Sequence, residues 1–164
     1  MADTLTDALT PHLMDLLGRA DQALRQEGHP ADPPARVLMM PGADVVHDDC
    51  CDGQLWVRIT DITAHTASAG VSANQTQWGP CGINYWVASI GLGIVRCAAT
   101  LDSRGNAPAP EDMTADTVLQ NLDAHILAGA LAETKNARLV RWTPSGPRGG
   151  CVGGEWAGQL RYGI

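Results

Sequence analysis

The apolar positions of this chain group into stretches of two different periods, and the longest stretch runs from Ile83 to Ala98. At a spacing of two, Trp86, Ala88, Ile90, Leu92 and Ile94 share one face, and Tyr85, Val87, Ser89, Gly91, Gly93 and Val95 share the other. That alternation predicts a long central strand. Its roughly 13 uncharged residues fall short of the roughly 20 that a membrane-spanning helix needs. Its β-branched residues and two interior glycines disfavour a soluble helix. Glycine at 91 and 93 leaves room for a helix or a neighbouring strand to approach closely.

Helical spacing appears twice. Leu5, Leu9, Leu13, Leu16, Leu17, Ala20 and Leu24 recur at three and four residues with Asp and Arg between them, which predicts an N-terminal amphipathic helix within residues 1–28. Thr10 and Pro11 fit an N-cap and a first helical position, leaving residues 3–9 as a separate turn. Gly28 ends the helix, and the three prolines of residues 29–36 make a stiff connector. The second helix is expected from about Ala115 to Thr134, with Ala115, Val118, Leu119, Leu122, Ile126 and Ala130 on its buried stripe and Thr114 as its cap.

Strands fill the remainder. Val37 to Met40 is a short one stopped by Pro41 and Gly42. Leu55, Val57 and Ile59 alternate with Trp56, Arg58 and Thr60 in a second that fades near His65. This strand and the central one read as an antiparallel hairpin joined by a long polar loop over Thr66 to Pro80. A loop centred near Asn74 would set Cys51 beside Cys97, within bonding distance. After a loop over Asp102 to Pro110 and the second helix come a strand from Arg138 to Trp142, a glycine-rich segment, and a short strand from Trp156 to Tyr162. The order α-β-β-β-α-β-β predicts an α+β fold over residues 37–164 plus the first helix: a single, mostly antiparallel sheet of four to five strands packed by two helices.

Composition leaves this picture as one domain. A length of 164 residues and 45% hydrophobic content support one core and not two. No basic n-region or apolar h-region opens the chain, so synthesis in the cytoplasm is expected. The net charge of -7 is uneven: residues 1–53 hold three Arg against ten acidic residues, whereas residues from Lys135 onward hold five basic residues against one acidic. Such halves favour head-to-tail pairing between copies, or else are solvated faces. A nucleic-acid footprint of clustered Lys and Arg is missing.

The chemistry-bearing residues assemble into no recognised catalytic motif. Cys50 and Cys51 are adjacent, and Cys81, Cys97 and Cys151 are isolated, unlike the paired ligands of zinc sites. A disulfide between Cys51 and Cys97, or one involving Cys151, competes with a set of buried thiols. Asp44, Asp48, Asp49 and Asp52 lack EF-hand spacing. The glycine pairs fit neither dinucleotide nor P-loop fingerprints, no nucleophile elbow occurs, and His125 reads as a surface position. No enzyme, metal or cofactor is expected. The glycine-rich segment bracketed by Trp142 and Trp156 has two readings. Either its tryptophans and Arg148 anchor a partner, or it is a tight turn whose tryptophans fill the core of a chain with no Phe.

Three segments carry a resemblance. Cys51-Asp-Gly-Gln-Leu-Trp-Val-Arg58, Val95-Arg-Cys97 and Trp142-Thr-Pro-Ser-Gly-Pro-Arg-Gly-Gly-Cys-Val-Gly-Gly-Glu-Trp156 resemble head-to-tail connector proteins of long-tailed actinobacteriophages, in particular tail terminators. The order of elements is also similar to the tail terminator fold. The resemblance implies a structural protein of the virion neck. It would form a hexameric ring on the last row of major tail tube protein, stop tube growth and meet the head-proximal stopper. DNA would pass through without sequence-specific binding, and no membrane would be involved. Another connector role, stopper or head completion, shares these features; a small disulfide-containing binding domain is the reading outside the family. Arg138, Arg141 and Arg148 are the expected contact residues around the ring.

Overall fold

The Tyr85–Cys97 strand lies third of five in one mixed sheet, with two strands on either side of it. The computed structural model describes residues 7–26, 28–42, 44–46, 52–65 and 85–163, with the backbone alone at 148. The elements are α1 (Thr10–Leu24), β1 (Arg36–Met40), β2 (Gln54–His65), β3 (Tyr85–Cys97), α2 (Pro110–Glu133), β4 (Ala137–Arg148) and β5 (Cys151–Tyr162). The sheet order is β1-β2-β3-β5-β4. β1 runs parallel to β2 and every other pair is antiparallel, so the fold is α+β as expected.

Both helices cover the same side of the sheet. Leu55 and Val57 of β2, the even-numbered residues Ala88 to Ile94 of β3, and Leu160 of β5 form the main core. They pack with Leu13, Leu16, Leu17, Ala20 and Leu24 of α1 and Leu127, Ala130 and Leu131 of α2. The stripe expected of α1 is the one buried from Leu9 onward, and Leu5 lies outside the described residues. Its start differs: the helix begins at Thr10, and Asp7 rather than Thr10 supplies the cap, its Oδ1 accepting the N–H groups of Leu9 and Thr10 at 3.0 Å each. The Thr10 side chain first, and these two N–H groups with it, hold the Asp7 carboxyl below the usual carboxylate range.

Helix α2 departs further from expectation. Pro110 takes its first turn, with Glu111 and Asp112 beside it at the positive end of the dipole, so it starts five residues early. Its buried set is Asp123, Ala124, Leu127, Ala130 and Leu131, while Val118 is 61% exposed and Ala115 lies at the surface. Thr114 is no cap; its hydroxyl bonds back to the Pro110 carbonyl at 2.8 Å. The glycine-rich segment is strand for most of its length, with a tight turn at its centre. β4 and β5 run through it and turn only at Gly149 and Gly150, whose φ values of 57° and 77° suit a two-residue hairpin turn. β5 is also an interior strand, hydrogen-bonded to β3 on one side and β4 on the other.

The glycines of these strands are where large groups cross the sheet. A Cβ on Gly93 would overlap the Trp56 ring, one on Gly154 the Trp142 ring, and one on Gly91 would sit 2.6 Å from Glu155 Oε2. The close approach expected at Gly91 and Gly93 is thus made by side chains lying flat on bare backbone.

Candidate functional site

Two polar constellations stand apart from the core, one buried under the helices and one on the uncovered face. The buried one is a clamp. Arg96, at the end of β3, donates Nε to Asp123 Oδ2 at 2.7 Å and Nη2 to Oδ1 at 3.0 Å, and its Nη1 reaches the Asp32 carbonyl at 2.6 Å. His29 Nε2 lies 3.2 Å from Asp123 Oδ1, and its Nδ1 engages the Ala31 backbone. The side chains of His29 and Asp123 are 4% and 2% exposed. This clamp fixes the proline-rich connector and the middle of α2 to the end of β3. It resembles an acid–base pair in composition alone, because every ring and carboxylate position is occupied and no nucleophile among the described residues touches it.

The uncovered face begins with a small cluster of Met40, Trp56, Val95 and Cys151, with Leu38 and Val45 packed against it. Next to it, Glu155 accepts the Trp56 Nε1–H at 2.7 Å and a forked pair from Arg58, Nε at 2.7 Å and Nη2 at 2.6 Å. The Glu155 hydrogen bond raises the Arg58 guanidinium above its ordinary range, against the opposing pull of burial. This half of the face is neutralised internally.

Toward β4 it is not. A bulge at Val140 shifts the β4–β5 register between Leu139 and Arg141, so Arg138 faces Gln159 and Arg141 faces Ala157 on the same side, although three residues apart. Arg161 follows along β5 on that side and lies 3.8 Å above the Tyr85 ring, which in turn stacks on His65 at 5.0 Å. Arg138, Arg141 and Arg161 are exposed, and among the described residues no carboxylate pairs with them. On β2, Asp61 lies on this face opposite Ser89 and accepts the Thr63 hydroxyl at 2.9 Å.

The other expected site residues are distributed as follows. Trp142 and Trp156 are half-buried on the helix side, rings 5.8 Å apart, and Trp156 donates its Nε1–H to the Ala124 carbonyl at 2.7 Å. They join the core to α2. Arg148 pairs in register with Cys151, its side chain outside the described residues. The Cys51–Cys97 bridge is not made. Cys97 is an exposed free thiol, and the residue opposite it is Cys151 on β5, itself disulfide-bonded. Cys51 lies outside the described residues, as do the acidic positions 48 and 49. Sequence reasoning missed the clamp and Arg161; for Arg161 the signal was its period-two spacing from Gln159 and Ala157.

A groove of about 680 Å³ opens between the first turns of α2 and the β4–β5 turn. Its polar groups are spent internally: Asp116 on the Ala99 N–H at 2.8 Å, and the Gln120 amide on the Ser145 and Gly153 carbonyls. No cluster of metal-ligating side chains occurs among the described residues, and no helix among them is long and apolar enough to cross a membrane. Comparison with models of known families and with curated proteins gives no match.

Proposed function

We propose that this chain is a structural subunit of the neck of a long-tailed phage: a tail terminator that forms a ring on the head-proximal end of the tail tube, ends tube growth and joins tail to head. The observation that supports this reading best is the one-sided sheet. Helices cover one face, and the other carries Arg138, Arg141 and Arg161 without carboxylate partners among the described residues, while the chain's acidic excess lies in residues 1–53. Such a patch suits a neighbour that brings carboxylates, and the subunit's own copies do. The ring is the expected hexamer, with tail tube protein on one side, the stopper on the other, and DNA passing without specific contacts.

Native mass spectrometry and light scattering test the reading. Wild type is expected as a closed ring whose mass is a fixed multiple of the subunit, weakened by salt because exposed charges are screened. Arg138→Glu with Arg141→Glu is expected to shift it toward monomer. A monomeric wild type, or a ring untouched by the reversal, would overturn the role given to this face. The Cys151 disulfide favours one second reading, a disulfide-containing binding domain, which predicts a monomer at all concentrations.

A further inference from the structure

We propose that copies of this chain meet front to back, with the outward side of α2 in one copy seated on the open sheet face of the next. This contact presupposes the ring described above and supplies the surface that answers its arginines. Helix α2 is apolar on two sides. Its sheet side carries Ala124, Leu127, Ala130 and Leu131 around Asp123. Away from the sheet, Glu111, Ala115, Val118 and Leu122 follow one another at four, three and four residues, a spacing that sets them on one stripe. Glu111 and Ala115 are exposed, Val118 is 61% exposed and Leu122 is half-buried. A surface helix ordinarily turns polar and charged side chains outward. Here one acid heads the stripe and apolar side chains follow it, with Ala115 and Val118 left in solvent by the single copy.

Charge selects what covers the stripe. The carboxylates of α1 are engaged within their own helix, Asp15 with Arg19 at 2.8 Å and Asp21 with Arg25 at 2.9 Å. Glu111 and Asp112, adjacent and exposed on the first turn of α2, have no cationic partner among the described residues. Their counterpart is the row of Arg138, Arg141 and Arg161. Beside that row the sheet surface is low: Ala157 stands next to Arg141, and Ser89 lies across from Gln159. Short side chains let a helix approach. The carboxylates of the open face do not repel it there, because Glu155 is taken up by Trp56 and Arg58, and Asp61 is three strands from Arg138, roughly 14 Å at the usual strand spacing. The two surfaces lie on opposite sides of the subunit, so each contact leaves one of each unpaired until the series closes on itself.

The test uses two full-length variants, one with Glu111→Lys and Asp112→Lys, the other with Arg138→Glu and Arg141→Glu. Each alone sets like charges against each other at every contact. In native mass spectrometry and light scattering, each should need about tenfold or more protein for half-assembly. Mixed in equal amounts, the two variants offer each other the missing charge, and rings of alternating subunits should return. Val118→Arg, inside the helix and away from its end, should weaken assembly by a similar factor, and it decides the point even where the lysines fray the first turn. Circular dichroism confirms that each variant is folded. Rings that form normally from the lysine variant or from Val118→Arg, or a mixture that stays dissociated, would overturn this contact and leave the ring reading standing. A monomeric wild type would overturn both.

Discussion

Replacing Gly93 by alanine should destabilise this fold strongly for one added methyl. The new Cβ would lie 2.6 Å from Trp56 Cε2 and 2.8 Å from the Gly154 carbonyl oxygen. Carbon atoms settle at about 3.5–4.0 Å, so the indole must withdraw by roughly 1 Å. It has little room to do so, being 4% exposed among Met40, Val95 and Cys151, and its N–H is committed to Glu155 at 2.7 Å. Overpacking a filled site costs about 1–3 kcal/mol, and losing a hydrogen bond to a charged acceptor about 1.5–3 kcal/mol. The backbone entropy removed with the glycine returns about 0.5–1 kcal/mol. The net loss is about 2–5 kcal/mol, a large part of a typical domain stability of about 5–15 kcal/mol.

Equilibrium urea unfolding followed by tryptophan fluorescence and circular dichroism measures this. With a slope of about 2 kcal/mol per molar, the midpoint should fall by roughly 1–2.5 M. Gly18→Ala is the matched control: it is exposed inside α1, nothing lies within 4 Å of its Cβ position, and it should gain about 0.5–1 kcal/mol. Trp56→Leu combined with Gly93→Ala isolates the contact, because the alanine penalty should drop by about 1.5 kcal/mol or more once the indole is gone. A Gly93→Ala protein within about 0.5 kcal/mol of wild type, or strict additivity in the double variant, would refute the reasoning.

Two further outcomes follow from the polar groups. Arg96→Met leaves the Asp123 carboxylate buried with His29 alone, and should lower unfolding free energy by about 3–5 kcal/mol; adding Asp123→Leu should restore much of it, and equal destabilisation in both variants would show that the ion pair is not what the site requires. Burial first, and the Asp7 carboxylate second, raise the Tyr162 phenol above its ordinary value of about 10. The folded state therefore keeps this proton more firmly than the unfolded chain. The stabilisation is fully present below about pH 10 and is lost as pH rises through the folded value. The urea midpoint of wild type should fall relative to that of Tyr162→Phe on that alkaline limb, and parallel curves would contradict the assignment.

What the residue pattern revealed and what it hid divide along physical lines. β2, β3 and the α1 stripe were legible because one face of each meets a continuous apolar core, so period and burial coincide. The face of α2 was not, since its buried centre is Asp123, made tolerable by Arg96 and His29, which are 27 and 94 residues away. No local periodicity encodes a partner at that distance. The segment from 143 to 156 admits either a partner-anchoring segment or a tight turn, and its strands are hidden because glycine is a poor strand former. Yet Gly154 is glycine for the same reason as Gly93: a tryptophan ring lies on it. The spacing of Arg138 and Arg141 put them on opposite faces until the bulge at Val140 brought them together.

That bulge also bears on how copies of the chain would meet. A two-fold contact apposes a patch with itself. Through Arg138, Arg141 and Arg161 it would set guanidinium against guanidinium, and like-charge apposition opposes association. Continuation of the sheet past β4 is blunted by the bulge and by Pro144 and Pro147, which cannot donate to a further strand. A contact through these arginines is therefore best made by side chains against a different, acidic surface of the next copy. Such a contact is heterologous, and repeated heterologous contacts either close into a ring or run on as a filament. The same charge row that argues against a simple dimer thus supports the proposed closed assembly, and a discrete two-fold dimer in native mass spectrometry would break the argument at this step.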